Sequence, residues 1–143
     1  MVGENSLPTA TCNFMKKIPF LFTMPFPHLP IVDNEAINNL RSLGDEGDDT
    51  FLREIIGIYL DDTPQRIADL RRSFDTGDKP LFIRSAHTIK GSSANVGVSR
   101  VRAIAEQIEH RSKLEALAGL AALLDDLDAA YAEAVTELNT FLG

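Results

Sequence analysis

From Ile31 onward, apolar residues return every three or four positions, the period of one face of an α-helix. Asp33 can cap a short helix that runs to about Leu43 and stops at Gly44. Residues 45–49 read as a turn-rich acidic loop. Asp48 or Asp49 then opens a helix with Phe51, Leu52, Ile55, Ile56, Tyr59 and Leu60 on one stripe, continued by Ile67, Leu70 and Phe74. Pro64 falls inside that stretch: it either kinks one long helix or stands in the first turn of a second one capped by Thr63. Gly77 stops the stripe, and Asp78 with Pro80 starts the next. A helix over about 79–95 then buries Phe82, Ala86, Ile89 and Ser93 and ends at Gly97. Ser99 is the expected cap of a further helix with Val101, Ile104, Ala105 and Ile108 inward. The last helix, roughly 114–142, carries Leu117, Leu120, Leu124, Leu127, Tyr131, Val135 and Leu138. No useful run alternates with period two. Amphipathic helices on short connections predict an all-α fold, an antiparallel four-helix bundle with a short extra helix at its N-terminal end.

Residues 1–30 break the pattern. They hold five of the seven prolines and four of the eight phenylalanines, a density that prevents helix and discourages strand. Met15-Lys16-Lys17 ahead of an apolar run looks briefly like a signal peptide, but Pro19 and Pro25 interrupt the run and no small-residue cleavage site follows. The expected organisation is a mostly disordered, sticky tail over 1–30, free or partly laid on the body, and a helical domain over 31–143. A chain of 143 residues is ordinary for one such domain and large enough to bury a core unaided. The single cysteine, Cys12, excludes an intrachain disulfide and a Cys-based zinc site. No stretch approaches the ~18 apolar residues that cross a bilayer. No metal site and no bound cofactor are expected.

The formal net charge is −7, the wrong sign for gripping nucleic acid. Its distribution is uneven. Residues 31–78 carry 5 basic and 12 acidic side chains, and 114–143 carry none and 6. Between them, 79–113 holds 7 basic residues against Glu106 and Glu109 alone. This is either a solvated helical face or a patch aimed at an acidic partner.

Ala86-His87-Thr88-Ile89-Lys90-Gly91-Ser92-Ser93-Ala94-Asn95-Val96-Gly97 lies within that basic stretch. On a helix, Lys90, Gly91 and Ala94 share the face of His87, while Ala86 and Ile89 turn to the core. A neutral imidazole is a nucleophile at cellular pH, and a lysine one turn away is a compact charge suited to a phosphoryl oxygen. Glycine inside a helix costs roughly 1 kcal/mol relative to alanine, which makes sense where another surface must come very close. A lone helical histidine is more often structural or solvated; the whole conjunction on one face is much rarer.

This segment resembles the signature of histidine-containing phosphotransfer (HPt) domains, helical bundles of multistep phosphorelays. The likeness extends to the Phe51–Leu60 stripe, Asp61-Asp62-Thr63-Pro64, Gly77-Asp78 and Ile108-Glu109, and covers about residues 31–142. The resemblance implies that His87 accepts the phosphoryl group, at Nε2, from a receiver-domain aspartate and passes it to another receiver, and that Lys90 balances its charge. Glu109 matches the family position that orients the imidazole; a surface acid is the alternative. Gly91 and Ala94 would admit the receiver, and Arg84, Arg100 and Arg102 would attract its acidic pocket, where Mg²⁺ is expected. The implied partners are response-regulator receiver domains and a hybrid histidine kinase, with the chain a cytoplasmic monomer and phosphocarrier lacking an ATP site of its own. Two rivals stand beside this. A phosphoacceptor fragment of a histidine kinase would need nucleotide-binding boxes, which nothing here resembles. A non-catalytic helical adaptor would bind its partner equally well without His87.

Overall fold

The structure, a computed structural model, describes residues 25–143. The described residues form five α-helices and one 3₁₀ turn: α1 (Asn34–Ser42), α2 (Thr50–Thr76), α3 (Lys79–Val96), α4 (Ser99–Ser112), the turn Leu117–Leu120, and α5 (Ala121–Leu142). No strand occurs among them. Helix α2 packs on α3, α3 on α4, α4 on α5, and α5 returns to α2; α1 lies against α2 and α3. Phe82 and Ile89 of α3, Ile104 and Ile108 of α4, Leu52, Ile56 and Leu70 of α2, and Leu124, Leu127 and Leu138 of α5 are almost fully buried in the middle. Each such side chain contributes ~1.5–3 kcal/mol relative to exposure.

The helix ends follow the local chemistry. Asp33 caps α1 by accepting from the Glu35 N–H, and Asp78 caps α3 by accepting from the Leu81 N–H, with Pro80 in the first turn. Gly77 closes α2 and Gly97 closes α3, both left-handed, at φ +76° and +79°. Two boundaries differ from the sequence reading, and the choice left open at Pro64 is settled: α2 is one long helix that runs through it for 27 residues. Proline removes one N–H bond to the carbonyl four residues back. The ring itself is exposed, and buried Tyr59, Thr63 and Leu70 hold the helix to the core on either side. Ser99 is not the cap of α4. Val98 occupies that position, fully buried, and the Ser99 hydroxyl donates back to the Gly97 carbonyl. The last helix starts later than residue 114: the chain turns at Lys113, is extended at Ala116, and makes the 3₁₀ turn first. Arg111 fixes that connection by donating to both Glu115 carboxylate oxygens and to the Gly119 carbonyl.

The expected tail falls mostly on residues 1–24, outside the described residues. Its last part is seen, and it lies on the bundle. Phe26 packs against the core and Arg100 donates to the Leu29 carbonyl at 2.6 Å, and Ile31 and Val32, which open the domain, are buried. Asp33 N–H donates to the Gly97 carbonyl, tying α1 to the α3–α4 turn.

Candidate functional site: a histidine on α3 held by a carboxylate on α4

Helix α3 turns Phe82, Ala86, Ile89, Ser93 and Val96 inward. His87 follows Ala86 by one residue and therefore points well away from the core. Its side chain is 65% exposed. Ser93 is anchored inside by a 2.8 Å hydrogen bond with the Tyr59 hydroxyl, which fixes the rotation of α3 and so the direction of His87. Gly91 and Ala94 are exposed on the same helix. A Cβ added to Gly91 would meet nothing within 4 Å. Among the described residues, nothing therefore requires glycine there.

Helix α4 lies beside α3 and brings Glu109 to the site, with only 11% of its side chain exposed. Oε2 of Glu109 stands 2.9 Å from His87 Nδ1, and Oε1 stands 2.8 Å from Lys90 Nζ. Burial works to raise the Glu109 pKa, but the hydrogen bonds and positive charge of Lys90 and His87 outweigh it and hold the carboxyl below its ordinary value. Glu109 is thus ionised at neutral pH and can only accept. The proton of a neutral His87 ring must sit on Nδ1, donated to Glu109, so that Nε2 keeps its lone pair. A second lysine, Lys113, approaches the same carboxylate at 3.6 Å.

The docking arginines divide. Arg84 is exposed, and Arg102 pairs with Glu106 on its own helix at 3.6 Å. Arg100 is occupied internally: with 15% of its side chain exposed, it holds the Leu29 carbonyl and approaches Glu133 of α5. Its geometry is that of an anchor for the N-terminal segment. Ser92 is half-buried and His110 exposed, and neither takes part in the cluster. Lys113 stands in the sequence as one more member of the basic stretch, and its i,i+4 spacing from Glu109 is the signal that ties it to the site.

A family model described as "Hpt domain" matches residues 54–137, which contain α3, α4 and every member of the cluster around Glu109. The chain belongs to the Hpt domain family. Among curated proteins, this Hpt chain is similar to histidine-containing phosphotransfer protein 2 of Arabidopsis thaliana, 26% identical over 109 residues, covering 74% of this chain and 70% of that protein. It is also similar to multistep phosphorelay regulator 1 of Schizosaccharomyces pombe, 26% identical over 90 residues, covering 63% of this chain and 30% of that protein. Among solved structures, a histidine-containing phosphotransfer protein from maize superposes with TM-score 0.69 at 23% identity, over 87% of this chain and 93% of that one. That likeness bears on the fold. Among the described residues of the Hpt chain, no helix is long and apolar enough to cross a membrane.

Proposed function

We propose that this Hpt domain is a phosphorelay intermediate in which His87 Nε2 takes a phosphoryl group from the aspartyl phosphate of one receiver domain and gives it to the aspartate of another. The observation that carries this reading is the exposed His87 ring with Nδ1 held by the ionised Glu109. The Nε2 lone pair attacks phosphorus in line as the bond to the aspartate oxygen breaks. No base is needed, because the ring proton is already on Nδ1 and stays there, paired with Glu109. The ring becomes a phosphoimidazolium next to a carboxylate of opposite charge. Lys90 supplies a donor for the phosphoryl oxygens. The reverse transfer restores the neutral ring.

The receiver contributes the acidic pocket and its Mg²⁺, and the Hpt chain acts as a carrier with no nucleotide chemistry of its own. Arg84 and Arg102 provide positive charge for docking, and Gly91 and Ala94 provide clearance. Arg100 is left out because it is engaged inside the fold. Incubation with a phosphorylated receiver and Mg²⁺ tests the reading. Label reaches the wild type and not His87→Gln; transfer to neither, or to both alike, would leave only a helical adaptor. Mg²⁺ and ATP without a kinase give no label.

A further inference from the structure

In the resting site Lys90 is already committed. Its ammonium lies 2.8 Å from Glu109 Oε1, and that ion pair keeps a nearly buried carboxylate charged. A phosphoryl group on Nε2 adds a second anionic centre a short distance away. If Lys90 turned to it with nothing in its place, Glu109 would keep only the ring and face a growing negative field. Lys113 sits where a replacement is needed. It occupies the position that ends α4, its Nζ is 3.6 Å from Oε2, and its side chain is 55% exposed and free to swing. Roughly 1 Å of travel brings it to hydrogen-bond distance. Together with Glu106 and His110, the residues Lys90, Glu109 and Lys113 line one small open concavity of about 190 Å³.

We infer that Lys113 is a positioning residue that takes over Glu109 when Lys90 turns to the phosphoryl oxygens, so that each of the two anions keeps a lysine. This rests on His87 being the phosphoryl acceptor. Lys113 acts through Glu109, which stays ionised and keeps Nδ1 oriented through both halves of the transfer. Resting and phosphorylated states then differ by an exchange of partners within one cluster, with no movement of the helices.

Two measurements test it. In the first, the protein is phosphorylated by phosphoramidate, a small donor whose P–N bond breaks as Nε2–P forms and ammonia leaves. A structure of that form should have Lys90 Nζ on the phosphoryl oxygens and Lys113 Nζ in hydrogen-bond contact with Glu109. Lys90 still on Glu109 with Lys113 unmoved overturns the inference. In the second, the ratio of phosphorylated Hpt protein to phosphorylated receiver is measured at equilibrium. Lys113→Gln should lower it by about two- to fivefold, the scale of a partly exposed ion pair. Lys113→Arg should restore it, and in a Glu109→Gln background Lys113→Gln should change nothing. An unchanged ratio, or the same drop without Glu109, overturns the inference. If no receiver labels the wild type but the phosphoramidate form shows the exchange, the relay reading falls and this one stands. If phosphoramidate leaves His87 unmodified, both fall.

Discussion

Gly97 ends α3 at φ +79°, and a Cβ on it would stand 2.5 Å from the Cβ of Ala36 and 3.3 Å from the Asp33 carbonyl oxygen. Gly91, earlier on the same helix, lies in regular α-structure, and among the described residues nothing stands within 4 Å of an added Cβ. At Gly97 the backbone conformation and the approach of α1 both demand glycine. At Gly91 the fold would be better served by alanine. A residue that weakens its own helix without an internal reason directs attention outward, and here it is exposed one turn from an exposed histidine.

The comparison can be broken first at the turn. Gly97→Val should cost about 2–5 kcal/mol, from a left-handed β-branched residue and from overpacking against Ala36. Urea denaturation measures it, and a near-neutral result would remove the contrast. Gly91→Leu should do the opposite: stability holds or rises by up to ~1 kcal/mol, while transfer from a phosphorylated receiver slows by tenfold or more, equivalent to at least ~1.4 kcal/mol. Rapid-quench kinetics beside the same denaturation curve would show whether the two effects separate.

Glu109 belongs to both sides of the contrast, since it is packed by the fold and used by the site. Glu109→Gln should cost about 1–2 kcal/mol at pH 7, the scale of charge-assisted hydrogen bonds lost by Lys90 and His87. The folded carboxyl titrates below its ordinary 4.5, so ionised Glu109 stabilises the native state above that value. The contribution is lost as pH falls through the depressed folded value. Stability curves of wild type and Glu109→Gln should therefore converge on acidification below about pH 4.5. Parallel curves would mean that Glu109 is not paired in solution. The smallest expected effect is at Gly57, another open glycine, on α2. Gly57→Ala should add about 0.5–1 kcal/mol and leave the transfer rate alone, because Gly57 does not share the α3 face. A slowed rate there would extend the docking surface onto α2.

Much of this was legible in the sequence because each feature left a local trace. The His87-Lys90-Gly91-Ala94 spacing places all four on one helix face, and apolar residues three and four apart place the buried Leu52, Ile56 and Leu70 of α2, Phe82, Ala86 and Ile89 of α3, and Val101, Ile104, Ala105 and Ile108 of α4. The features that escaped were those decided by distant packing. Pro64 leaves one long helix or two open in the sequence, and buried side chains on both sides carry α2 across it as one. Ser99 has the chemistry of a cap, but burial of Val98 sets the start of α4 one residue earlier. Arg100 looked like one more cation of the basic stretch. Only the fold brings the Leu29 carbonyl and Glu133 to it from opposite ends of the chain. The Leu-rich stripe points to the buried Leu120 of the 3₁₀ turn and Leu124, Leu127 and Leu138 of α5, whereas buried Ala130 and Ala134 leave no such trace because alanine fits either face.

The proposed transfer turns on which nitrogen of the His87 ring reacts. A ³¹P–¹⁵N correlation spectrum of the protein, labelled by a phosphorylated receiver, reads this directly. Phosphorus bonded to Nε2 of His87, with the proton still on Nδ1, is the predicted result. Phosphorus on Nδ1, or on any other residue, would contradict it.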